Sequence, residues 1–298
     1  MNILISGASG LIGSSLRPYL EQKGHQVYLL HRGRKSGRFY WQPDKNMIHL
    51  DESIPLDAVI NLNGVNIGEK KWSAARKQAI INSRVESTQL LCNALAKRLN
   101  PPSVLINASA IGYYGDTGDT AVDENSASGR NFLTDIVKQW EAATEAAQNA
   151  NIRTVHIRSG IVLAKQGGAL AKMLLPFKLG LGGKLGLGNQ YMSWISLTDE
   201  IRAIEFLLQQ EHIFGPVNLT APKPVTNAQF TQSLGKHLKR PTPFPLPAWF
   251  IKMVFGEMGQ LLLLDSNRVL PNVLKNNGFK FKDKTIDQAL HNLLINNH

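Results

Sequence analysis

The stretch Asn2–Gly13, which reads NILISGASGLIG, decides the fold. Its apolar run, residues 3–5, predicts a buried parallel strand, and a helical pattern begins at Leu11. Between them the backbone can come close to a ligand, because glycine has no side chain. The N-terminus of a helix offers unpaired N–H groups and a partial positive charge. A strand, a glycine turn and a helix in this order form a site for a diphosphate. The glycines of the turn are Gly7, Gly10 and Gly13.

The residues after this turn predict a helix and a second strand. Apolar residues recur at helical spacing through Leu11–Lys23, and the pattern stops at Gly24, a typical helix end. Val27–Leu30 is the predicted second strand, so strand, helix and strand fall within about 30 residues. In this context the glycines predict dinucleotide binding; a tight turn that only packs the helix on the strand is the alternative. The residues expected at the diphosphate are Gly7, Ser9, Gly10, Leu11, Ile12 and Gly13.

The residues after the second strand indicate which dinucleotide is bound. An NAD site needs an acidic residue here for the ribose 2′-hydroxyl, whereas an NADP site needs an arginine for the 2′-phosphate. The strand is followed by His31, Arg32 and Arg34, and no acidic residue occurs before Asp44. The sequence therefore predicts NADP, with Arg32 as the main phosphate ligand, Arg34 as the second and His31 beside them. A solvated basic loop is the alternative interpretation.

The remaining elements predict an α/β fold. Residues 57–64 form a predicted strand, whose end, Leu62, Asn63 and Gly64, should lie over the adenosine side of the dinucleotide. A long helix, with Arg84 in its interior, is expected to run to about Arg98. Further predicted elements are strands at 104–108, 153–158, 192–195 and 217–219, and helices at 132–148, 169–178, 197–209, 227–238, 248–264 and 284–295. The predicted organisation is a dinucleotide-binding domain, 1–225, carrying a substrate-side loop, 165–196, and a small helical domain, 226–298.

Composition excludes several classes of protein. The 298 residues are 43% hydrophobic and 18% charged, as is usual for globular enzymes. No apolar run approaches the roughly 20 residues of a membrane span, and no basic segment precedes the first strand, so neither a span nor a signal peptide is expected. A single cysteine, Cys92, excludes an internal disulfide and a cysteine-cluster metal site and favours a cytoplasmic location.

The net charge of +11 does not by itself identify a partner. Lysine and arginine are spread along the chain, without a basic tail or interleaved aromatic residues. An anionic cofactor and a small-molecule substrate account for the charge more economically than nucleic acid, which stays a weaker alternative. We expect a small-molecule substrate and no metal, nucleic-acid partner or membrane partner. A homodimer is the oligomeric state that we consider.

Several motifs of the chain resemble those of the extended short-chain dehydrogenase/reductase superfamily. The resemblance rests on Gly7-x-x-Gly10-x-x-Gly13, Asn61–Gly64, Ser109–Gly115, Trp194-Ile195 and Thr198-Asp199. The chain is more closely similar to atypical, epimerase-like members with a small C-terminal helical domain. That similarity rests on Lys71-Trp72, Ser83–Val85, Ile111–Gly115, Trp140–Ala143, Arg158–Leu163, Pro176–Gly183, Gln190–Ile195, Asn218–Pro222 and Gly278–Phe281. It implies a Rossmann-type, doubly wound parallel sheet that binds NADP, with Leu163 at the cofactor. Arg84 is expected to face the phosphates or the ribose of the cofactor, because a lone arginine would be costly to bury.

The resemblance also implies a catalytic serine, tyrosine and lysine, of which two are missing. The tyrosine and lysine normally lie four residues apart on the helix after the fifth strand. Aligned on Trp140-Glu141, that helix has Ile136 at the tyrosine position and Trp140 at the lysine position. Lys138 is a poor substitute, because it is two residues from Trp140, which occupies the lysine position, and therefore lies about 200° round the helix from it.

Three hydroxyl-bearing residues remain as catalytic candidates. We predict Tyr113 as the acid/base and Ser109 as a substrate contact, whereas Tyr114 is at least as well explained by packing with a hydrogen-bonded hydroxyl. Ser109 matches the superfamily serine only if one extra residue precedes Tyr114-Gly115; without it, Ala110 occupies that position. Arg158 is expected either at the cofactor or in an ion pair, for instance with Glu141. His156 is expected to pack rather than to act as a base.

The substrate and the reaction are left open by the sequence. Sugar-nucleotide enzymes of the superfamily carry an arginine two residues after the glutamine, where this chain has Met192 after Gln190. A sugar nucleotide is therefore less favoured, and a more apolar pocket is indicated. The function predicted is an NADP-binding oxidoreductase or epimerase-like enzyme of a small molecule. The alternative is a catalytically silent, NADP-binding regulatory protein.

Overall fold

The computed structural model describes residues 1–33 and 37–294 of the chain. Arg34, one of the residues predicted to bind the cofactor, lies outside the described residues. The strands are β1 Asn2–Ser6, β2 Gln26–Leu29, β3 His31–Arg32, β4 Phe39–Gln42, β5 Met47–Leu50, β6 Ala58–Asn61, β7 Val104–Ala110, β8 Ala121–Val122, β9 Arg153–Ser159, β10 Ile161–Leu163, β11 Tyr191–Met192, β12 Trp194–Ser196, β13 Gly215–Leu219, β14 Val225–Thr226 and β15 Arg268–Val269.

The helices are α1 Leu11–Gln22, α2 Ala74–Asn82, α3 Val85–Ala96, α4 Phe132–Ala142, α5 Glu145–Asn149, α6 Gly168–Lys178, α7 Leu197–Gln209, α8 Asn227–Leu238, α9 Ala248–Gly259, α10 Asn272–Asn276 and α11 Ile286–Leu294. Short 3-10 turns cover Pro43–Lys45 and Ile111–Tyr114, and a π-helical segment covers Gln260–Leu264. Gly256, with φ +58°, kinks α9.

Six strands form a parallel central sheet in the order β13-β9-β7-β6-β1-β2. The chain passes from β1 outward to β2 and then returns to β6 on the other side of β1. This reversal leaves a crevice at the carboxyl end of β1, where ligands bind in sheets of this kind. The predicted Rossmann-type, doubly wound α/β fold is confirmed.

Alternate residues of β1 pack on opposite faces of the sheet, which explains its unbroken apolar sequence. Ile3 and Ile5 pack against α1 and α7 in one buried cluster, and Leu4 packs against α3 and α5 in another. Burial on both faces holds the glycine turn that follows β1 at a fixed position.

The C-terminal helices are divided between two cores. α8 and α11 pack with α6 around Trp194, which is fully buried, in a cluster of their own. By contrast, Leu274, Phe279 and Phe281 pack into the main core beside the sheet. The chain beyond residue 226 therefore packs against α6 and Trp194 and also returns to the sheet.

The structure differs from the sequence predictions at several elements. The predicted long helix ending near Arg98 is two helices, α2 and α3, and Arg84 is the N-cap of α3 rather than an interior residue. The predicted helix over 132–148 is likewise split into α4 and α5. The sheet β3-β4-β5, the helix α10 and the short pair β8-β15 were not predicted.

Candidate functional site

The glycine turn after β1 is too crowded for side chains. Gly7 has φ +72°, and a Cβ there would lie 2.6 Å from the carbonyl oxygen of Leu62. A Cβ on Gly13 would collide with the carbonyl of Gly7. Gly10 closes the turn by donating its N–H to the Gly7 oxygen at 3.0 Å. The two outer glycines therefore allow the turn to pack against β6 and against α1, as a dinucleotide cradle requires.

The N-terminus of α1 carries nothing that competes with an anion. Gly10 is its N-cap, no side chain caps the helix, and no acidic residue lies in its first turn. The first N–H groups of a helix have no partner within the helix, and they carry a partial positive charge. Ser9 and Gly10 are exposed, and Leu11 and Ile12 are partly so. This end of α1 has the exposure and the partial charge that a phosphate or diphosphate site requires.

Arg32 extends from β3 directly after the end of β2, and its side chain is 60% exposed. Its Nη2 lies 4.0 Å from Oδ1 of Asp44, whose side chain is also exposed. An exposed ion pair of this kind is weak, so the guanidinium can exchange Asp44 for another anion. His31 is exposed beside it. The end of β2 therefore presents positive charge at the edge where the cradle lies.

The chain after β6 forms the wall opposite α1. Asn63 donates from Nδ2 to the Ser83 carbonyl and to the Ser87 hydroxyl, both at 2.7 Å. Gly64 leaves room for the Arg84 guanidinium, because a Cβ at Gly64 would lie 3.1 Å from the Arg84 Cζ. These contacts bring the predicted residues 62–64 and Arg84 together.

Arg84 is a cation held by backbone oxygens. It donates to the carbonyls of Val65 and Ile80, and its Cζ lies 5.1 Å from the centre of the Trp140 ring. In the described part of the chain no carboxylate pairs with it, and burial together with the charge of Arg76 lowers the pKa of Arg84 to about 10. A nearby anion would relieve this cost, so the position suits a phosphate or a ribose oxygen.

Leu163 is buried at the end of β10, and the chain that follows it turns toward the cradle. A Cβ on Gly167 would lie 3.0 Å from the Leu11 side chain, and a Cβ on Gly168 would lie 3.1 Å from it. The loop after Leu163 thus covers the first residue of α1. Leu163 stays a predicted cofactor contact.

The helix that carries the acid/base pair in the superfamily is apolar at both positions. Ile136 and Trp140 are buried on α4, and Lys138 is exposed. Trp140 donates from Nε1 to the Thr88 hydroxyl, which also receives Asn61 Nδ2. Trp140 is therefore a fixed part of the core.

An ion pair between Arg158 and Glu141 lies beside the predicted catalytic residues. Arg158 donates from Nε to Oε1 and from Nη2 to Oε2 of Glu141, both at 2.8 Å. Burial alone would raise the pKa of Glu141, but the hydrogen bonds and charge of Arg158 hold it below its usual value. Of the two roles considered for Arg158, the ion pair with Glu141 is the one observed.

Ser109 and the two tyrosines surround this ion pair. Ser109 lies opposite Arg158 in the sheet and donates its hydroxyl proton to Glu141 Oε1 at 2.6 Å. The Arg158 Cζ lies 3.4 Å from the centre of the Tyr113 ring. The Tyr113 hydroxyl has no hydrogen bond within residues 1–33 and 37–294, and the ring is half-buried. Ser109 and Tyr113 are thus brought together at one cation, at the carboxyl end of β7.

Tyr114 has the packing role proposed as its alternative. It is buried, donates its hydroxyl to Asn218 Oδ1 at 2.8 Å and accepts from Arg158 Nη1 at 3.1 Å. Burial raises the pKa of Tyr114 to about 12. His156 is also buried and bonded to Thr144, and burial lowers its pKa. Neither side chain is placed to act as a base.

Among the buried acids, the burial of Glu124 and Glu200 was not predicted from the sequence. Glu124 Oε1 accepts the backbone N–H groups of Asn218 and Val273, and burial raises its pKa. Glu200 is completely buried on α7, where it accepts the Ser159 hydroxyl at 2.6 Å. Glu124 lies in a polar loop, residues 116–130, and Glu200 follows Asp199 at the start of a helix. Acidic residues in such positions are usually exposed, so the sequence does not indicate that these two are buried. Where the chain is described, no group of three or more His, Cys, Asp or Glu side chains could hold a metal ion.

Comparison with known proteins agrees with this geometry. Residues 3–219 match the sequence model of the NAD dependent epimerase/dehydratase family, and residues 246–293 match that of a domain of unknown function, DUF1731. Epimerase family protein Mb2239 of Mycobacterium bovis is 44% identical over 290 residues, which are 97% of this chain and 96% of that protein. Human epimerase family protein SDR39U1 is 34% identical over 99% of this chain and 100% of its own.

A crystal structure of human SDR39U1, isoform 2, with NADPH superposes with a TM-score of 0.89 at 33% identity and covers 99% of this chain and 100% of the human one. A crystal structure of UDP-galactose 4-epimerase agrees in fold, with a TM-score of 0.70 at 16% identity. No helix within residues 1–33 and 37–294 has the length and apolar content needed to cross a bilayer. The resemblance to epimerase-like reductases is confirmed, and the chain belongs to the NAD dependent epimerase/dehydratase family.

Proposed function

We propose that the chain is an NADP(H)-dependent oxidoreductase or epimerase-type enzyme of a small molecule. The observation that carries the proposal is the uncapped, glycine-lined start of α1 with an arginine, Arg32, at the end of β2. The human SDR39U1 structure was solved with NADPH, which supports the same cofactor here.

Different residues would hold different parts of the cofactor. The N–H groups at the start of α1, Ser9 to Gly13, bind the diphosphate, and Arg32 binds the 2′-phosphate. Leu62–Gly64 line the adenosine side, and Arg84 supplies charge near the phosphates or the ribose. Bound NADP(H) supplies a hydride donor or acceptor.

Tyr113 is the group best placed to move a proton. Its hydroxyl has no partner among the described residues, unlike that of Tyr114, so it can receive or give the proton of a substrate hydroxyl. Ser109 already gives its proton to Glu141, so its oxygen can only accept a hydrogen bond from a substrate. The pair Arg158–Glu141 holds both residues in position.

The substrate is a small molecule whose anchor differs from that of a typical sugar nucleotide. The Gln190 amide donates to the carbonyls of Leu185 and Leu263, and Met192 is buried. A sugar nucleotide would need Lys70, Lys71 or Arg76 for its diphosphate, and Arg76 already contacts Glu69 and the Asn66 carbonyl. An uncharged carbonyl or hydroxyl compound fits this region better.

Replacing Arg32 tests the cofactor assignment. We expect wild-type protein to bind NADPH more tightly than NADH in isothermal titration, and Arg32→Ala to remove the difference, weakening NADPH by about tenfold or more. Arg38→Ala is the matched control, because Arg38 is nearby and similarly exposed, at 68%. A wild-type preference for NADH, or an unchanged preference in Arg32→Ala, would contradict the assignment.

Replacing Tyr113 tests catalysis. With a substrate found in a panel of carbonyl compounds, Tyr113→Phe should lower turnover by about 100-fold or more while NADPH binding is unchanged, because only proton transfer is lost. Tyr114→Phe serves as the comparison: it should lower the thermal midpoint of unfolding, since Asn218 and Arg158 lose a partner. Equal turnover in Tyr113→Phe and wild type would remove Tyr113 from the mechanism.

One observation favours a second candidate function. The superfamily tyrosine and lysine positions are occupied by buried Ile136 and by Trp140, whose indole is committed to Thr88. Such a helix suits an NADP-binding regulatory protein that does not turn over. Tight NADPH binding without cofactor oxidation across the panel would favour this candidate, and steady turnover that depends on Tyr113 would exclude it.

A further inference from the structure

Two segments on the substrate side carry positive charge without any negative charge. Residues 165–190 contain four lysines and no acidic residue, and residues 221–256 contain five lysines or arginines and no acidic residue. The chain as a whole carries 33 basic and 22 acidic residues, so both segments have a larger excess of positive charge than the chain average. Lys178, Lys184 and Lys252 are exposed.

The same two segments carry a concentration of exposed large apolar side chains. Six of them, each between 59% and 78% exposed, define what we name the apolar surface: Leu179, Leu181, Leu187, Phe244, Trp249 and Met253. Soluble domains seldom expose several large apolar side chains together without a partner for them.

Backbone contacts hold the two segments side by side. Leu246 donates its N–H to the Lys184 carbonyl, and Gly186 donates to the Leu246 carbonyl, both at 2.8 Å. Arg240 donates from Nε to the Lys178 carbonyl at 2.9 Å. A Cβ on Gly186 would lie 3.6 Å from the Ala248 side chain, next to Trp249. The loop after α6, the proline-rich connector and the start of α9 therefore form one continuous surface.

We propose that this apolar surface docks on the face of a lipid bilayer that contains anionic phospholipids. Leucine, phenylalanine and tryptophan beside lysine are the composition of segments that lie in the membrane interface. Charge complementarity selects the occupant, because the basic residues of these two segments, which contain no acidic residue, are attracted to anionic headgroups. A second copy of the chain would bring the same positive charge to the contact, which opposes an isologous interface.

The docking is peripheral and independent of the proposed function. The described helices are too short or too polar to cross a bilayer, so the protein lies on the surface. The sequence predicted no membrane partner because it contains no membrane-spanning run. That criterion does not detect a surface formed by two loops and the start of a helix. The docking residues lie outside the cradle of Gly7 to Gly13.

Vesicle co-sedimentation of the full-length protein tests the proposal. We expect binding to phosphatidylcholine vesicles containing phosphatidylglycerol, little binding to phosphatidylcholine alone, and weakening as salt rises. The double variant Leu179→Ser/Trp249→Ser should lose binding by tenfold or more, and Lys252→Glu by about fivefold. Phe214→Ser and Lys45→Glu are matched controls, since both residues are exposed and lie outside the two segments.

Thermal unfolding of every variant reports whether the fold is intact. This readout does not depend on whether the variant binds the cofactor. No binding of wild-type protein to the anionic vesicles at low salt would overturn the proposal. So would vesicle binding that survives the double variant. A concentration-dependent dimer that Trp249→Ser dissociates, without vesicle binding, would assign the apolar surface to a second copy instead. Competition by single-stranded DNA with unchanged affinity in the double variant would assign the charge to nucleic acid.

Discussion

Arg158→Met is expected to lower the free energy of unfolding by about 3–5 kcal/mol, the usual cost of removing one partner from a buried ion pair. The side chains of Arg158 and Glu141 are 4% and 13% exposed, and they form two parallel hydrogen bonds. Without Arg158, the Glu141 carboxylate stays buried with the Ser109 hydroxyl as its remaining side-chain donor. Tyr114 loses a donor as well.

The loss of unfolding free energy in Arg158→Met should depend on pH. Because the pKa of Glu141 is depressed in the folded wild type, the pair stabilises the fold above the pKa of an unfolded glutamate, about 4.3. That stabilisation is lost as pH falls through the folded pKa, so the gap between wild type and Arg158→Met should narrow in acid.

Urea titration of the single variants and of the double variant Glu141→Leu/Arg158→Met measures the coupling. We expect the double variant to recover most of the loss, because no unpaired charge remains buried. Arg17→Met is the control, since Arg17 forms an exposed pair with Glu21 and should cost less than about 0.5 kcal/mol. A loss below about 1 kcal/mol in Arg158→Met would mean that the Glu141 carboxylate is solvated or protonated without it.

Local patterns in the sequence predicted the elements that depend on local structure. The strand–turn–helix at residues 2–22 was predicted because burial on both faces requires an apolar strand and the tight turn requires glycine. The helix predicted over 227–238 is observed with those bounds, because Thr226 and Gln229 form a capping box that the sequence contains.

Tertiary hydrogen bonds explain the predictions that were wrong. Helical periodicity continues from α2 into α3, but the Ser83 hydroxyl receives the Val65 N–H and Arg84 reaches the Val65 carbonyl. These contacts open the chain between the helices and turn Arg84 toward the cradle. No residue near 83 signals the partner at 65.

In the predicted site too, the features set by local sequence were predicted and those set by tertiary contacts were not. The cradle is a contiguous motif, and its residues are found together at the end of β1. Around Tyr113, however, the partners come from distant parts of the chain: Tyr114 meets Asn218, which is 104 residues away, and Glu141 meets Ser109, 32 residues away. The sequence suggested the Arg158–Glu141 pair from the cost of burying an arginine. The Asn218 and Glu124 contacts depend on the register of β13 and could not be read from composition or spacing.

Glu200→Gln is expected to raise the free energy of unfolding at pH 7 by on the order of 3 kcal/mol. Glu200 is completely buried at the start of α7, and burial raises its pKa to about 8, although the Ser159 hydrogen bond opposes the rise. Its Oε2 has no hydrogen-bond partner among the residues that the structure describes. The folded protein therefore keeps a proton there at neutral pH.

The sign follows from the proton that the unfolded chain releases. An unfolded glutamate loses its proton above about pH 4.3, so wild-type stability falls as pH rises from there to about 8, whereas glutamine carries no such proton. Glutamine has the same shape and can still accept from Ser159. Denaturant titration between pH 4 and 9 should show the two proteins equal near pH 4 and diverging up to pH 8. Glu145→Gln, at an exposed position, is the control. A difference that stays constant from pH 5 to pH 8, or a less stable Glu200→Gln at pH 7, would mean that water or a rearrangement solvates the Glu200 carboxylate.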